Sequence, residues 1–325
     1  MEWPGIARTT PLRSAVVPPV AFFGPAGTFA EEALLTQPDL AAGARVPIAS
    51  IPDVIAAVED AEYELGFVPI ENSIEGSVSV TLDTLAFESE LLIQREIDLP
   101  ISMGLFVKPG TKLGDIRQVL SFPIAAAQCR GYLRRKIPNA TFVAANSTAD
   151  AAATVARSKR TDQAAIGNEL AARLHGLKVL AHDIEDHPEN ETRFVLVGRG
   201  IPAPTGHDKT TIVCFQRADR PGSLLAMLQE FAARRINLTK LESRPTKKSL
   251  GDYCFFIDFE GHINDELVAD CLRTLAAKVA NVKYLGSYPV AGLDGPARRS
   301  AATKAWRDAD KWLHELRTQV RDADA

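Results

Sequence analysis

The strongest constraint on the fold is a change of rhythm about two thirds of the way along the chain. Across residues 20–198, short apolar runs of strand length alternate with segments of helical periodicity. This alternation is typical of an α/β domain. Residues 199–208 hold two prolines and two glycines without periodicity, which predicts a linker. A different order of elements follows, so the sequence predicts two successive domains.

Each part of the chain has its own predicted set of elements. Thr28 with Glu31, and Ser147 with Asp150, have the spacing of capping boxes that mark helix starts. The first part predicts strands 20–23, 64–69, 90–98, 101–107, 118–121, 140–144, 164–167 and 193–198, with helices from about residue 29 and at 51–60, 78–87, 124–136 and 149–157. The second part predicts strand 209–216, helix 223–234, strands 236–242 and 252–260, helix 265–279 and strand 282–289. This βαββαβ order is that of a ferredoxin-like sheet with both helices on one face.

The two ends of the chain differ from the body. Residues 1–17 lack a continuous apolar segment and are expected to form a disordered leader, not a secretory signal. Residues 300–323 are helical by composition. Trp306, Leu313, Leu316 and Val320 fall on one stripe, which predicts an amphipathic helix packed on the body or on a second subunit.

Composition excludes several classes of function. The 325 residues carry a net charge of −4, with no basic cluster for nucleic acid or for a membrane surface. No apolar run is long enough to span a bilayer. The four cysteines, Cys129, Cys214, Cys254 and Cys271, form no paired framework and are expected to be reduced thiols used in packing. A cytoplasmic location is therefore expected.

Two polar segments follow predicted strands of the first part. Residues 24–28 join a strand to a helix, so the amides of Gly27 and Thr28 are candidates to bind a carboxylate; an ordinary tight turn is the alternative. Glu71, Asn72 and Ser73 offer three kinds of hydrogen-bonding group at one strand end, where α/β folds place ligands. A solvated loop is the alternative there.

Two further segments have the composition of binding sites. Arg193 stands at the entry to an apolar strand, and a guanidinium is a natural bidentate partner of a carboxylate; a surface hairpin is the alternative. Gly222 lies where the first strand of the second domain turns into its helix, so that backbone can approach a ligand closely.

Other kinds of site are not supported. His182, Asp183, Glu185, Asp186 and His187 are metal-ligating types, but they fall in a hydrophilic stretch without a closed ligand pattern. The sequence has no glycine-rich nucleotide motif and no GxSxG nucleophile motif. We expect neither a metal nor a cofactor.

Five of these segments together resemble the prephenate dehydratases. The catalytic-domain motifs are GPAGTF at 24–29, GFVPIENSIEGSVSVTLDTL at 66–85 and ETRF at 191–194. GSLL at 222–225 and ESRP at 242–245 resemble the phenylalanine-binding motifs of that family's ACT domain. Two departures stand out: residues 121–124 read SFPI where the family often has a histidine-containing SHPQ, and Ser223 replaces the usual alanine.

The resemblance implies a two-lobed catalytic domain, similar to periplasmic binding proteins, with the site between the lobes. The catalytic domain would cover 18–200, with one lobe at about 18–99 plus 190–200 and the other at about 100–189. A linker at 201–208 and an ACT domain at 209–290 would follow.

The resemblance also implies site residues. Thr192 would be the proton donor or orient it, and Asn72, Ser121 and Gln128 would hold the substrate and the hydrogen-bond network. Arg193, Gly27 and Thr28 would bind the side-chain carboxylate, with Ser73 nearby and Phe194 as an apolar wall. Glu71 would shape the network or be structural.

The implied reaction converts prephenate to phenylpyruvate, carbon dioxide and water, with phenylalanine as the feedback effector. Phenylalanine would bind between ACT domains of a homodimer or homotetramer. The implied contacts are Gly222, Ser223, Leu224, Leu225, Asn237, Leu238, Glu242, Ser243, Arg244 and Pro245.

Two alternatives stay open. The first is an arogenate dehydratase, which performs the same chemistry on the aminated substrate. The second is a non-catalytic binding protein, because two-lobed folds also serve as solute receptors and ACT domains as sensors. The motif at 191–194 would have no role in a receptor.

Overall fold

A computed structural model of the chain describes residues 18–216, 221–247 and 252–291, together with the isolated positions 311, 312, 315 and 318. The predicted leader at 1–17 lies outside the described residues, as does most of the predicted helix at 300–323. Trp312 is described and is exposed.

The described residues form fifteen strands and ten α-helices. The strands are β1 Val20–Phe23, β2 Arg45–Ile48, β3 Leu65–Asn72, β4 Gly76–Ser77, β5 Leu92–Pro100, β6 Gly104–Val107, β7 Gln118–Ser121, β8 Thr141–Ala144, β9 Gln163–Gly167, β10 Lys178–Ala181, β11 Glu191–Gly198, β12 Asp208–Gln216, β13 Leu238–Pro245, β14 Tyr253–Glu260 and β15 Ala280–Pro289. The helices are α1 Phe29–Leu35, α2 Pro38–Ala41, α3 Ile51–Glu59, α4 Ser79–Phe87, α5 Pro123–Ala127, α6 Arg130–Lys136, α7 Thr148–Arg157, α8 Glu169–Leu174, α9 Ser223–Ala233 and α10 Glu266–Thr274.

Two α/β lobes make up the first part of the chain. Lobe 1 has a sheet of order β2-β1-β3-β11-β5, with β4 paired to β3. Lobe 2 has a sheet of order β10-β6-β9-β7-β8. The chain enters lobe 2 after β5 and returns to lobe 1 through β11, which pairs antiparallel with both β3 and β5. The predicted two-lobed α/β architecture is confirmed.

The second part forms a four-stranded antiparallel sheet of order β13-β14-β12-β15, which confirms the predicted ferredoxin-like order. One face of this sheet packs on α9 and α10 through a core that includes Ile212, Phe231 and Phe259. The other face, with Phe256 and Tyr288, joins a core of lobe 1. The small domain is therefore packed directly against the catalytic lobe.

A glycine permits a close approach between the two domains. Gly286 in β15 has φ of +138°, and a β-carbon at this position would lie 2.7 Å from the carbonyl oxygen of Ile93 in β5. Any other residue would push the strands apart, because no side chain fits in that space.

Most predicted elements of both domains are confirmed. β2, β4, β10, α2 and α8 were missed because their apolar periodicity is short, and the predicted helix 124–136 breaks into α5 and α6 at Gln128 and Cys129. The box at Ser147 is confirmed on its cap side, since the hydroxyl accepts from the Asp150 amide. The box at Thr28 is wrong: Glu31 accepts from the Gly27 amide, and the Thr28 hydroxyl donates to the carbonyl of Phe23.

Candidate active site

A cavity of about 590 Å³ lies between the two lobes. Its walls are largely apolar, with polar side chains contributed from both lobes. The lining residues include Phe23, Thr28, Asn72, Glu75, Phe122, Ile124, Gln128, Asn146, Ser147, Thr148, Asp150, Asn190, Thr192 and Phe194. A concave apolar pocket with a few convergent polar groups is the usual form of a small-molecule site.

Thr192 and Asn72 are neighbours across the β11–β3 ladder, as the motifs implied. The Nδ2 of Asn72 donates to the Thr192 hydroxyl at 2.9 Å. The Oδ1 of Asn72 accepts from the amides of Ile74 and Glu75, both at 3.0 Å, which fixes the orientation of the side-chain amide. The Thr192 oxygen is therefore an acceptor towards Asn72, and its own hydrogen is left for another partner.

A chain of side-chain hydrogen bonds continues from Asn72 across the cleft. Asn72 donates to the Oδ1 of Asn190 at 2.8 Å, and Asn190 donates to the Oε1 of Gln128 at 3.0 Å. Gln128 in turn donates to the Glu75 carboxylate at 3.0 Å. Gln128 belongs to lobe 2 and the other members to lobe 1 and β11, so the chain links the lobes.

Asn190 and Glu75 belong to this site, although neither was predicted as a site residue from the sequence. Asn190 is only 1% exposed and sits two positions before Thr192, a spacing that places both on the same side of an extended chain. Glu75 follows Asn72 by three residues in the β3–β4 turn, where no periodicity marks it. Thr148 was also missed, although its capping neighbour Ser147 was noticed.

The predicted carboxylate clamp at Arg193 is wrong in its placement. Side chains alternate along a strand, so Thr192 and Phe194 face the cleft while Arg193 faces the small domain. The Arg193 guanidinium lies 2.8 Å from Asp258, 3.7 Å from Glu96 and 3.6 Å from Glu71. Burial works against its charge, but the Asp258 carboxylate raises the pKa of Arg193, so the group stays charged.

Glu71 also faces the small domain and not the cleft. It is the ladder partner of Arg193 and also lies 3.4 Å from the Lys240 ammonium of the small domain. Of the two roles predicted for Glu71, its position supports the structural one, because its carboxylate faces the domain interface.

Three further predicted contacts with substrate do not match the positions found. Ser121 is fully buried, and its hydroxyl donates to the carbonyl of Ile166 inside lobe 2. The Gly27 amide is taken by the Glu31 carboxylate at 2.7 Å. Ser73 accepts from the Glu191 amide at 2.9 Å and does not line the cleft.

Two other predicted residues do line the cleft. Thr28 contributes to the lobe 1 wall, and Phe194 is stacked on Phe67 with ring centroids 5.3 Å apart. Phe122 and Ile124, where the sequence departs from the usual family pattern, also line the cleft and are 40% and 43% exposed. The departure therefore makes the lobe 2 wall apolar.

The residues of the predicted phenylalanine site fall on two faces of the small domain. Leu225 is 58% exposed, and Leu241, which lies next to the predicted Glu242, is 43% exposed. Glu242 and Arg244 instead turn towards the catalytic domain: Glu242 bonds Ser77, and Arg244 lies 2.8 Å from Asp83. The Asn237 amide donates to Glu260 at 3.1 Å. Their contact with phenylalanine stays a prediction, and the hydrogen bond of Glu242 and the ion pair of Arg244 give these two residues a role between domains.

The cysteines behave as packing residues. Burial, reinforced by Glu185 and Asp186, raises the pKa of the Cys129 thiol to about 12. Burial also raises the pKa of Cys214 and Cys271 to about 12 and that of Cys254 to about 11. Thiols with these values are not nucleophiles near neutral pH.

The sequence predicts no metal site at His182 and the neighbouring residues of metal-ligating type. His182 pairs with Glu169 at 2.8 Å and His187 with Glu189 at 3.2 Å, both at the surface. Within the described part of the chain, no three His, Cys, Asp or Glu side chains converge as metal ligands. No helix among the described residues has both the length and the apolar character for a membrane span.

Comparison with family models divides the chain in two. Residues 20–201 match the model described as prephenate dehydratase, and residues 210–277 match the model described as ACT domain. The prephenate dehydratase of Mycolicibacterium vanbaalenii is 43% identical over 316 residues, covering 93% of this chain and 99% of that protein. That of Mycobacterium tuberculosis is 43% identical over 310 residues, covering 92% and 94%.

Solved structures agree with the family models. Prephenate dehydratase from Arthrobacter aurescens, solved in complex with L-Phe, matches with a TM-score of 0.83 and 40% identity over 92% of this chain and 99% of that one. GqqA, described as a novel type of quorum quenching acylase, matches with a TM-score of 0.74 and 30% identity, covering 84% and 98%. The chain belongs to the prephenate dehydratase family and carries an ACT domain after its catalytic domain.

Proposed function

We propose that this chain converts prephenate to phenylpyruvate, with loss of carbon dioxide and water, under feedback control by phenylalanine. Family membership supports the reaction, and the observation that carries it is the Thr192 hydroxyl held by Asn72 in an apolar cleft. Aromatisation of the ring makes the reaction strongly downhill, so the site needs to lower a barrier and no redox or electrophilic cofactor is required.

The barrier lies in expelling the ring hydroxyl, and a positioned proton donor lowers it. Asn72 donates to the Thr192 oxygen, which leaves the Thr192 hydrogen for the departing hydroxyl of the substrate. A threonine hydroxyl is a very weak acid, so the Asn72 amide that donates to the Thr192 oxygen stabilises this oxygen once its proton has gone to the departing hydroxyl, which leaves as water. A proton from solvent water restores the Thr192 hydroxyl after the products leave. The chain through Asn190 and Gln128 to Glu75 holds the Asn72 amide in position.

The ring carboxylate leaves as neutral carbon dioxide, and an apolar environment favours that loss. Phe194, Phe23 and the lobe 2 residues Phe122 and Ile124 line the cleft. Among the described residues that line it, none is Lys, Arg or His. A charge placed against these walls loses hydration without gaining an ion pair, which raises the energy of the carboxylate relative to carbon dioxide.

Regulation follows from the way the ACT sheet is packed. Its open face contacts lobe 1, and Asp258 in β14 holds Arg193, the residue next to Thr192. Phenylalanine binding between ACT domains of two subunits would shift the position of β14 and thereby bias β11. Exposed Leu225 and Leu241 are suited to subunit contact. A symmetric dimer or tetramer is part of the proposal.

We also propose the division of the chain and its location. The catalytic domain would cover 18–200, the linker 201–208 and the ACT domain 209–290, in keeping with the family matches at 20–201 and 210–277. A biosynthetic enzyme that depends on soluble metabolites fits a cytoplasmic location.

An acylase reaction is not favoured by this cleft. Covalent acyl transfer uses a serine, threonine or cysteine nucleophile that an adjacent base, most often a histidine, activates. The described lining residues include no histidine, and the nearby Cys129 is protonated, with a pKa raised to about 12 by burial.

The test is a direct assay. Purified protein is incubated with prephenate alone, without added metal or cofactor, and phenylpyruvate is followed by its absorbance in alkali, with and without phenylalanine. Product that phenylalanine suppresses supports the reaction and its control together. Activity on arogenate but not on prephenate would instead assign the aminated substrate, and activity on neither would refute the proposal.

A further inference from the structure

The start of α7 forms a second polar region of the cleft, on the wall opposite Thr192. Asn146, Ser147, Thr148 and Asp150 all line the cavity there. The Ser147 hydroxyl caps the helix by accepting from the Asp150 amide at 2.9 Å. The amides of Thr148 and Ala149 are the first two of a ten-residue helix, so they have no acceptor within it.

Thr148 provides an independent sign of a ligand. It is only 7% exposed, and it packs closely on Gly167, where a β-carbon would come within 3.1 Å of the Thr148 Cβ. Its hydroxyl makes no hydrogen bond to any described residue, although the residue lines the cleft. The Thr148 oxygen is not one of the fully buried, unpartnered atoms of the described residues, so it opens into the cleft, where a ligand can form a hydrogen bond with it.

We propose that this region, formed by the Thr148 hydroxyl and the first amides of α7, binds the side-chain carboxylate that prephenate retains in the product. The proposal rests on the proposed function and specifies its substrate geometry. Amide donors and the positive end of a helix stabilise an anion without a cationic side chain.

The choice between the two carboxylates of the substrate follows from the chemistry. Donors that stabilise the ring carboxylate would stabilise the ground state and oppose its loss as carbon dioxide. The side-chain carboxylate is unchanged in the reaction, so binding it equally in substrate and transition state lowers KM at no cost in kcat. The α7 region therefore suits the retained carboxylate, and the apolar walls suit the ring carboxylate.

Asp150 provides a second test of the proposal, because its negative charge would repel a bound anion. Its carboxylate accepts from the Asn146 amide at 3.3 Å and also lines the cleft. Replacing it by asparagine removes a repulsion, so Asp150→Asn should tighten binding of a carboxylate ligand by about threefold.

The experiment compares two ligands that differ in the ring carboxylate. Prephenate is assayed by steady-state kinetics, and the product phenylpyruvate is titrated by calorimetry on the full-length protein. Thr148→Val removes the hydroxyl and keeps the shape. We expect it to raise the KM for prephenate and the Kd for phenylpyruvate by a similar factor, about tenfold or more, with kcat within about twofold.

Two controls separate a lost contact from a damaged helix. Thr148→Ser restores the hydroxyl and should recover most of the affinity for both ligands. Thr154→Val lies on the same helix away from the cleft and should leave both affinities unchanged. If Thr148→Val fails to fold, Asp150→Asn decides the matter, since phenylpyruvate binding that does not tighten overturns the proposal.

The outcomes distinguish a failure of the carboxylate site from a failure of the proposed reaction. Unchanged phenylpyruvate affinity in Thr148→Val overturns the site, even if prephenate turnover is normal. A wild-type protein that binds phenylpyruvate through Thr148 but does not convert prephenate leaves the carboxylate site standing and removes the reaction. A wild-type protein that binds neither ligand removes both.

Discussion

At the scale of single residues, the alternation of side chains along β11 separates catalysis from domain packing. Thr192 and Phe194 face the cleft, while Arg193 between them reaches Asp258 of the ACT domain. Motif resemblance alone treats the three as one site, because it carries no information about which face a residue occupies. The strand period of two supplies that information once the strand is known.

Removal of the Thr192 hydroxyl tests the proton donor. Thr192→Val preserves shape and β-propensity, so thermal unfolding should change little, while kcat with prephenate should fall by about 100-fold or more. Thr192→Ser retains the hydroxyl and should keep a substantial part of the rate. A kcat for Thr192→Val close to that of the wild type would exclude this residue as the donor.

Asn72 offers a test of hydrogen-bond direction. In Asn72→Asp, the carboxylate still accepts from the Ile74 and Glu75 amides but no longer donates to Thr192. The Thr192 hydroxyl then donates to the new carboxylate, and its hydrogen is withdrawn from the substrate. We expect kcat to fall as far as in Thr192→Val, and combining the two changes should add little. Fully additive losses would show that Asn72 acts by some other route.

At the scale of elements, the sequence predicted what periodicity encodes and failed where the backbone departs from it. The largely buried strands β1, β7 and β11 were found from their apolar runs, and α7 was found from its cap. The register between β3 and β11 shifts between Arg193 and Phe194, so Arg193 pairs with Glu71 but Phe194 pairs with Pro69. This bulge leaves Ile70 as an extra residue and lets both Pro69 and Asn72 line the cleft.

No local sequence pattern predicts such a bulge. Nor does any pattern show that the Ser121 hydroxyl forms its hydrogen bond inside its own lobe. The same holds for Asn190 and Glu75, whose roles depend on partners more than fifty residues away along the chain, as in the bond from Gln128 to Glu75. Motifs located the cleft, whereas the direction of each side chain required the fold.

Helices α1 and α8 meet across the lobes at Glu32. Asn168 donates to the Glu32 carboxylate at 2.8 Å, and burial raises the pKa of Glu32, although this hydrogen bond works in the other direction. A carboxyl with a raised folded-state pKa contributes stability that is complete below its ordinary value of 4.5 and is lost as pH rises through the raised pKa.

Glu32→Gln keeps an acceptor for Asn168 without the buried charge. Its thermal stability should therefore exceed that of the wild type at pH 7 and converge with it at about pH 4. Thermal unfolding of both proteins across this range measures the difference. A variant that is less stable than the wild type at pH 7 would mean that the ionised carboxylate is net favourable at this contact.

At the scale of the whole molecule, the ACT domain packs on the catalytic lobe through ion pairs as well as through a shared apolar core. Lys209 lies 2.8 Å from Glu96, and Arg244 lies 2.8 Å from Asp83. Arg193 carries the pair closest to the cleft, and its Nε is buried without a hydrogen-bond partner, 3.6 Å from Glu71. The unpartnered Nε makes this arrangement less favourable than a fully hydrogen-bonded one.

Replacing Arg193 tests whether this residue binds the substrate carboxylate or joins the ACT domain to the catalytic lobe. Arg193→Met leaves Asp258 buried beside Thr211 without its cation, so the free energy of unfolding should fall by about 3 kcal/mol. Adding Asp258→Asn removes the stranded charge and should recover part of that loss, which a double-mutant cycle by denaturant unfolding measures. Because the guanidinium does not line the cleft, the KM for prephenate should stay within about twofold in both proteins, while inhibition by phenylalanine should weaken. A KM raised tenfold or more with inhibition intact would instead return Arg193 to the substrate as its carboxylate clamp.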